Sequence, residues 1–345
     1  MGSGGVVTLA HGAGGLAMEE LIRGLILPSF SLRRVLDGVG LDELDDGASM
    51  RIGSTELVIS IDGHTVDPIF FPGGDIGRLA VSGTVNDVAV MGARPLAILD
   101  AIVVEEGFPL EDLRRILRSM DEAAREAGVA IISGDFKCMP RGHVDKVVIA
   151  TCGLGVAFHG SPILDSGARP GDVVVLTGPI GEHGAALLAA REGLELEGDL
   201  RSDVAPIWDT VEAMLMAAGP DGIHAMKDPT RGGLASALND IASKSGISIW
   251  IEEASLPIRE PVRAVCEIFG IDPLEVTCEG CVVACVSPEV ADEVVKAARR
   301  TEHGRMAGVI GEVRADRPGQ VLMRTLVGGT RPVARPFGEP IPRVC

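Results

Sequence analysis

The sequence contains no tyrosine, and among its 345 residues there are only eight phenylalanines and two tryptophans. Proteins that bind single-stranded nucleic acid without sequence preference stack the bases on aromatic side chains, which this sequence hardly supplies. The same scarcity means that the core must be built from Val, Ile, Leu, Ala and Met. We therefore expect no nucleic-acid partner.

Basic residues are also scarce, since 31 Lys and Arg stand against 49 Asp and Glu, and the net charge is −18. Such a surface repels nucleic acid and anionic membranes at long range, and it suits an anionic substrate only if a cation such as Mg²⁺ accompanies it. No apolar run reaches about 18 residues, and no basic segment followed by a hydrophobic stretch opens the chain. These absences predict a cytoplasmic protein with no membrane partner.

The cysteines do not form a disulfide pattern, because there are seven of them and they are scattered. They indicate reduced cytosolic thiols. The group Cys278, Cys281 and Cys285 could suggest a metal site, but a four-thiolate zinc site needs a second pair, and only Cys266 is near. Because Cys281 and Cys285 lie in or beside an apolar strand, we predict that the group is structural. A metal or redox role is the alternative.

Strand and helix patterns alternate in both halves of the chain, which predicts two α/β domains. The clearest helix is Leu110–Ala127, with Pro109 at its start and Gly128 at its end. The predicted units are an N-terminal Gly-rich segment (1–50), an N-terminal α/β domain (51–165), a C-terminal α/β domain (166–329) and a flexible tail (330–345). The other predicted strands are Leu57–Ile61, Val129–Ile132, Lys146–Cys152, Val173–Leu176, Ile247–Ile251 and Val282–Val286, and the other helices are Ile76–Met91, Gly184–Glu192, Gly233–Lys244, Glu260–Phe269 and Pro288–Arg300.

The last residues differ from the rest of the chain. Four prolines in the final segment (332, 336, 340 and 342) predict an extended, semi-rigid arm. The sequence ends on Cys345, and a thiol at the end of an arm can enter a narrow site from a distance. Arg343 is a candidate for the cation that activates it. The alternative is a fortuitous last residue on a frayed tail.

Four aspartates lie where a carboxylate is unusual. Asp62 ends a predicted strand, Asp135 follows another, and Asp228 opens the motif Asp228–Gly233. Asp87 interrupts an apolar helical run, where an unpaired buried carboxylate costs several kcal/mol, so it needs a partner such as a metal. Carboxylates together with phosphate oxygens suit Mg²⁺. For each single aspartate the alternative is a helix cap or a turn.

Glycine clusters offer backbone N–H groups to phosphate at three places, Gly12–Gly15, Gly73-Gly74 and Gly232-Gly233. No Walker A motif is present, and no Gly-x-Gly-x-x-Gly follows a strand. If the protein binds ATP, it uses another fold.

Together these residues resemble the hydrogenase maturation factor HypE family, the carbamoyl dehydratases, over essentially the whole chain. The segment Asn86–Pro95 resembles more widely aminoimidazole ribonucleotide synthetase, selenophosphate synthetase and thiamine monophosphate kinase, whereas the ending Pro342–Cys345 is typical of the HypE branch. The resemblance implies a two-domain α/β (α+β) fold like aminoimidazole ribonucleotide synthetase with an extended C-terminal tail, and a homodimer formed through the N-terminal domains. It also implies ATP and Mg²⁺ as cofactors. The implied ATP-binding residues are Asp62, Asp75, Asn86, Asp87, Asp135 and Asp228, of which Asp62, Asp87 and Asp228 would hold Mg²⁺.

The resemblance further implies the activity. Cys345 would accept a carbamoyl group from a HypF-type carbamoyltransferase, and ATP would drive dehydration of the thiocarbamate to a thiocyanate. The cyanide group would pass to iron on a HypC–HypD complex for the [NiFe]-hydrogenase centre. The resemblance places Lys137 and Glu279 near the thiocarbamate, and we assign charge stabilisation to the first and proton acceptance to the second.

Three residues depart from the family pattern, namely Phe136, Cys138 and Cys278. Because the Asp, Lys and Glu beside them remain, the departures affect the fine geometry of the site. Selenophosphate synthetase and thiamine monophosphate kinase are the alternative enzymes, and the tail ending in Cys345 counts against both. A non-catalytic metal-binding scaffold that uses the cysteine group is the alternative from another class.

Overall fold

The computed structural model describes residues 5–12, 14–194, 198–338, 341 and 343–345. Pro340, Pro342 and Ala13, which belong to the predicted arm and to the first glycine cluster, lie outside the described residues. The helices are α1 Leu16–Leu21, α2 Ile76–Val90, α3 Leu110–Ala127, α4 Glu182–Glu192, α5 Trp208–Ala218, α6 Gly233–Ser245, α7 Glu260–Phe269 and α8 Ala291–Ala298. The strands are β1 Ala48–Ile52, β2 Thr55–His64, β3 Phe70–Phe71, β4 Gly74–Asp75, β5 Ala93–Glu105, β6 Ala130–Met139, β7 Val147–Ala157, β8 Val173–Leu176, β9 Ile223–Lys227, β10 Ser248–Glu252, β11 Val283–Val286, β12 Gly308–Arg314, β13 Val321–Arg324 and β14 Thr330–Pro332.

The N-terminal sheet has five strands in the order β1-β2-β7-β5-β6. All neighbours are antiparallel except β5 and β6. The apolar helix α2 packs on β2, β5 and β7, and α3 covers α2. Strand β6 lies at one edge, and every one of its residues is exposed, including Ile132 (61%) and Phe136 (52%).

The C-terminal sheet has seven strands in the order β14-β13-β10-β12-β8-β11-β9. Here only β10 and β13 are parallel. Strand–helix alternation therefore produces two mixed, mostly antiparallel sheets, the α+β form of the predicted class. Among the described helices, none is both long and apolar enough to cross a membrane.

Several predicted elements have other limits in the structure. The strand predicted at Val129–Ile132 continues to Met139, so Asp135 and Lys137 lie within β6 rather than after a strand. Likewise β2 continues to His64, so Asp62 lies inside a strand. Neither β5 nor α5 was predicted from the sequence. For β5 the reason is that it includes Pro95 and Asp100, so its apolar residues do not alternate regularly. On α3 the apolar side chains of Leu110 and Leu117 are exposed.

The tail contacts both domains. Residues 330–332 form β14 beside β13, so the segment that leaves the sheet begins at Val333 rather than at 330. Asn239 donates an amide hydrogen bond to the Val333 carbonyl at 2.9 Å, and Arg335 forms ion pairs with Glu19 and Asp240. Ile341 and Val344 are buried in the main core. This packing brings the last residue back to the face between the domains.

Candidate functional site

A cavity of about 320 Å³ lies between the two domains, and Cys345 is part of its wall. Carboxylates outnumber cations in the lining, so an anionic ligand would need a compensating cation. The N-terminal domain and α1 supply one side, and the loop after β9 supplies the other. The lining comprises Gly14, Gly15, Met18, Glu19, Ile22, Arg23, Leu44, Asp45, Asp46, Ile61, Asp62, Gly83, Asp87, Lys227, Asp228, Thr230, Arg231, Asp240, Lys244, Glu279, Arg335 and Cys345.

Three carboxylates converge in this cavity, those of Asp46, Asp87 and Asp228. One oxygen from each lies within 4.8 Å of the others. Asp87 extends from α2, and Ser60 of β2 donates a hydrogen bond to it at 2.7 Å. Asp228 follows β9 directly, and Asp46 precedes β1. Two unrelated strand ends and a buried helix therefore position three acidic groups at one point.

Neighbouring groups do not fully compensate the negative charges of these three carboxylates. One oxygen each of Asp46 and Asp228 is buried without a hydrogen-bond partner among the described residues. Burial, followed by the charges of Asp228 and Asp62, raises the pKa of Asp87 well above its usual range. Burial, followed by the charge of Asp46, raises the pKa of Asp228 to about 7. Unpaired oxygens and mutual repulsion are what a bound divalent cation relieves.

Asp46 was not among the residues identified in the sequence, whereas Asp62 was predicted to be the third metal ligand. In the structure Asp62 lines the same cavity, but one of its oxygens accepts the Gly63 N–H at 2.7 Å, and it is not part of the three-carboxylate group. Asp46 also forms an ion pair with Lys227. Its only sequence signal was the pair Asp45-Asp46 ahead of a strand, which resembles an ordinary turn.

Glu279 is buried, and its Oε1 atom has no hydrogen-bond partner among the described residues. Burial, then the negative charges of Asp228 and Asp203, raises its pKa well above the usual range. The Asp203 carboxylate accepts the backbone N–H groups of Glu279 and Gly280, at 3.1 and 3.0 Å. A Cβ atom on Gly280 would lie 1.9 Å from the Asp203 carbonyl oxygen, so only glycine allows this approach.

Arg231 is the cation coupled to Cys345. Negative charge on Cys345 raises the pKa of the Arg231 guanidinium, and Asp62 and Asp87 add to that effect. Gly14 packs against Arg231, because a Cβ at Gly14 would lie 2.4 Å from the Arg231 Cβ. Arg343 is one candidate for this cationic neighbour from the sequence. In the structure Arg343 forms an ion pair with Asp145.

Two further predicted ATP-binding residues make internal contacts. Asn86 donates to the carbonyl oxygens of Ala205 (3.0 Å) and Glu279 (3.2 Å), and it accepts the Ile207 N–H at 3.0 Å. It therefore fixes the C-terminal domain to α2. Asp75 caps α2 by accepting the N–H groups of residues 77 and 78. Neither side chain is part of the cavity wall.

Asp135 and Lys137 lie away from the cavity of their own chain. They form an exposed ion pair with each other at 2.7 Å on β6. Three strand spacings separate β6 from β2, which is about 14 Å at ~4.8 Å per strand. Within one chain, the structure therefore does not bring Lys137 to Glu279 and Cys345.

The remaining cysteine group is buried in the core of the C-terminal domain. Gly181 donates its N–H to the Cys278 sulfur at 3.1 Å. Cys278, Cys281 and Asp203 have ligand atoms within 4.8 Å of one another, although Cys285 is not part of that group. Hydrogen bonding to Cys278, followed by burial, raises the pKa of Cys281 well above its usual range, so its thiol is protonated.

The fold and the acidic cavity place the chain among the AIR synthase related proteins. Residues 44–157 match their N-terminal domain, and residues 169–324 match their C-terminal domain. Within that class, the chain belongs to the HypE family of carbamoyl dehydratases, which act in hydrogenase maturation.

The similarity to this family extends over the whole chain. A putative hydrogenase expression/formation protein of Methanocaldococcus jannaschii is 49% identical, covering 98% of this chain and 99% of the relative. Carbamoyl dehydratase HypE of Azotobacter vinelandii is 46% identical, covering 99% and 98%. A HypE–HypF complex superimposes with a TM-score of 0.85 at 40% identity (92% and 99% covered), and a HypE bound to ATP with 0.81 at 40% identity (99% and 100% covered). The alternative thiamine monophosphate kinase, from Aquifex aeolicus, shares the fold at 19% identity (TM-score 0.64).

Proposed function

We propose that Cys345 carries the carbamoyl group through its dehydration, within the cavity between the domains. The observation that supports this most directly is the position of Cys345 in the wall of that cavity, together with Glu279, Arg231 and the three carboxylates. Ile341 and Val344 in the tail are buried, which supports a thiol held at this place rather than on a frayed end. A HypE relative has been solved with ATP, which supports ATP as the co-substrate here.

We propose that Asp46, Asp87 and Asp228 hold Mg²⁺, with Asp62 at the edge of the same group. The unpartnered buried oxygens of Asp46 and Asp228 support this assignment, as does the hard, all-oxygen donor set. When bound, Mg²⁺ would neutralise the polyphosphate of ATP. The assignment replaces the sequence prediction, in which Asp62 was the third ligand.

The chemistry requires that a poor leaving group be converted to a good one. The carbonyl oxygen of Cys–S–C(=O)NH₂ attacks the γ-phosphorus of ATP, ADP leaves, and one N–H proton is lost. The C–O bond to phosphate then breaks, the second N–H proton is lost, and Cys–S–C≡N and phosphate result. Two protons must therefore be accepted within reach of Cys345.

Glu279 suits proton acceptance, because a carboxylate with a raised pKa is a strong base once it is ionised. Its unpartnered Oε1 atom is free to receive a proton. Arg231 offers positive charge beside Cys345, where the oxygen of the thiocarbamate becomes negative. Within the chain, Arg231 therefore takes part of the role that the sequence analysis gave to Lys137.

We further propose that a homodimer supplies Lys137 from a second copy. Exposed apolar side chains on β6, Ile132 and Phe136, and Ile61 on β2 (77% exposed) support an interface on this sheet. As an edge strand, β6 has a neighbour only on its β5 side among the described strands, so its outer side is suited to pairing with a strand of a second copy. Such a dimer would place Asp135 and Lys137 of one copy near the cavity of the other.

Two partners complete the proposal. A HypF-type carbamoyltransferase would load Cys345, which the solved HypE–HypF complex of a relative supports. A HypC–HypD complex would receive the cyanide group at its iron, as the family resemblance implies. Both require that the tail leave the cavity, since the thiol inside it is enclosed by two domains.

Intact mass spectrometry of the full chain tests the proposal. After incubation with a HypF-type transferase, carbamoyl phosphate and Mg-ATP, Cys345 should carry a carbamoyl group and then a thiocyanate, which is lighter by one water. ATP with chelator should stop the sequence at the carbamoyl stage. Modification at another cysteine, or equal modification of the native protein and of Cys345→Ala, would refute the assignment.

A further inference from the structure

The residues that lead to Cys345 are bound through their main chain. The carbonyl of Arg343 accepts hydrogen bonds from Arg191 Nη2 (2.6 Å) and from the Asp67 N–H (3.1 Å). The carbonyl of Val344 contacts His183 Nε2 at 2.6 Å, and that of Cys345 accepts from the Thr65 hydroxyl at 3.3 Å. Three successive carbonyls are thus held by groups from both domains.

Two apolar side chains anchor the same segment. Ile341 and Val344 are 1% and 2% exposed and belong to the main hydrophobic core. Gly184 of α4 leaves room for one of them, because a Cβ atom there would lie 3.2 Å from Ile341 Cδ1 and 2.6 Å from Val276 Cγ1. Burial of these side chains gives the docked tail its affinity, and the carbonyl contacts fix its register.

His183 has one polar neighbour at each ring nitrogen, the Val344 carbonyl at Nε2 and the Ser202 hydroxyl at Nδ1. Ser202 Oγ lies 2.7 Å from His183 Nδ1 and accepts the Val204 N–H at 3.0 Å. Because the Val344 carbonyl can only accept, Nε2 carries the imidazole hydrogen, and Nδ1 of the neutral ring accepts the hydrogen of the Ser202 hydroxyl. Burial lowers the pKa of His183 to about 4, so the ring is neutral near pH 7.

The ring itself is held in place from the side. Phe71 packs against it edge-on, with ring centroids 5.3 Å apart and planes at 86°. His183 is fully buried and lies at the start of α4, outside the wall of the reaction cavity. His183 is buried, oriented and donates to the tail, but it takes no part in the chemical steps at Cys345.

We propose that His183, oriented by Ser202, is a positioning residue that latches the tail and so keeps Cys345 in the cavity during dehydration. The proposal rests on the proposed function of Cys345 as the carrier. One strong hydrogen bond to a main-chain carbonyl is a reversible restraint. It can hold the thiol for the reaction and still release it to the carbamoyl donor and to the cyanide acceptor.

Alkylation of Cys345 by iodoacetamide, followed by peptide mapping, measures tail release without any turnover. In His183→Ala the Val344 carbonyl loses its donor, and we expect Cys345 to be labelled about tenfold faster. His183→Gln, whose amide can donate at a similar place, should restore most of the protection. His159→Ala is the matched control, since His159 Nε2 contacts the Leu215 carbonyl at 3.2 Å, away from the tail. It should label at the native rate.

A second measurement separates the latch from the carrier function. In a single turnover of pre-carbamoylated protein, His183→Ala should dehydrate about tenfold more slowly, while loading by the transferase is undiminished and Gln restores dehydration. If the native protein never forms thiocyanate but labelling still follows the pattern above, the carrier function is wrong and the latch stands. If the native protein dehydrates and labelling of His183→Ala is native, the latch is wrong.

Ser202→Ala provides the test if His183→Ala does not fold. It removes the group that orients the imidazole and leaves the tail untouched, so we expect faster labelling of Cys345 by a fewfold. A well-folded Ser202→Ala protein with native labelling and native dehydration would overturn the proposal. So would labelling in His159→Ala as fast as in His183→Ala.

Discussion

The carboxylate of Asp203 accepts the backbone N–H of Glu279 at 3.1 Å and so fixes the loop that carries this side chain into the cavity. Burial, followed by the charge of Glu182, raises the pKa of Asp203 to about 7. The group that positions Glu279 is therefore itself titrating near neutral pH.

This pKa makes stability depend on pH in a defined direction. The folded state holds the Asp203 proton up to about pH 7, whereas the unfolded chain releases it near pH 4, so the free energy of unfolding falls as pH rises between these values. Asp203→Asn removes this contribution. Relative to native protein it should gain roughly 2–4 kcal/mol between about pH 4 and about pH 8. Urea unfolding at several pH values measures the gain, and a pH-independent difference would contradict it.

Removing one carboxylate from the converging group should abolish the use of Mg-ATP and preserve the fold. We expect Asp87→Asn and Asp46→Asn each to lower Mg²⁺-dependent dehydration by at least about 100-fold. Without Mg²⁺, Asp87→Asn should be at least as stable as native protein, because it removes a buried carboxyl group that Asp228 and Asp62 repel. ATP-driven turnover and thermal unfolding with and without Mg²⁺ measure both effects. Asp37→Asn, an exposed aspartate outside the cavity, is the control. Normal turnover by Asp87→Asn at ordinary Mg²⁺ would exclude the assignment.

The cysteine group is expected to be structural. Replacement of Cys278, Cys281 and Cys285 by Ser or Ala should leave dehydration within roughly tenfold, about 1.4 kcal/mol of barrier. The burial of all three thiols favours this outcome. Metal analysis of the native protein is the check: stoichiometric zinc or iron that disappears together with activity in the variant would show a functional metal site.

The proposed action of Lys137 across a dimer predicts complementation. Lys137→Ala and Glu279→Gln should each be inactive alone. Mixed dimers would contain one site with both native residues, so mixing should restore up to about a quarter of native activity for a random, half-and-half population. Activity of re-equilibrated mixtures, with sedimentation to verify the dimer, tests this. If verified mixed dimers show no activity, Lys137 of one copy does not act in the site that contains Glu279 of the other copy.

The last prediction concerns the length of the tail. Because residues 330–332 belong to β14, the segment that can leave the sheet runs from Val333 to Cys345 and would span roughly 40 Å at ~3.1 Å per residue. Deleting Cys345 should abolish modification and preserve ATP binding. Removing about six residues while Cys345 remains last should leave the thiol reactive but stop dehydration, because Ile341 and Val344 can no longer reach their sites. Quantifying carbamoyl and thiocyanate forms decides the matter, and native conversion by the shortened chain would rule out a docked tail.

The sequence predicts local features well where one pattern dominates. Helix Leu110–Ala127 is found at the residues predicted, because proline and glycine mark its ends and the apolar spacing is regular. Helix α2 is likewise found within one residue, and Asp87 inside it does lie in a carboxylate cluster. A charged residue in an apolar helix is informative because its burial has few explanations.

Other parts of the site depend on distances that a linear pattern does not carry. Asp46 reaches Asp228 only because two separate strands end at one place, and Arg231 meets Cys345 only because the tail folds back. Conversely, Lys137 lies three strands from β2, which follows from the strand order and from no local signal. The role of His183 was not predicted, since nothing in its own segment indicates that Val344 lies beside it.

The carbonyl contacts of the tail constrain how this protein can diverge. Because Arg343, Val344 and Cys345 are each held through main-chain oxygens, many side-chain replacements upstream of the anchors leave the docking intact. An in-frame insertion or deletion between Val333 and Ile341 has no such tolerance, since it shifts every carbonyl out of register with its donor. Among related chains this segment should vary more in composition than in length, apart from Arg335 and the buried Val333 and Ile341.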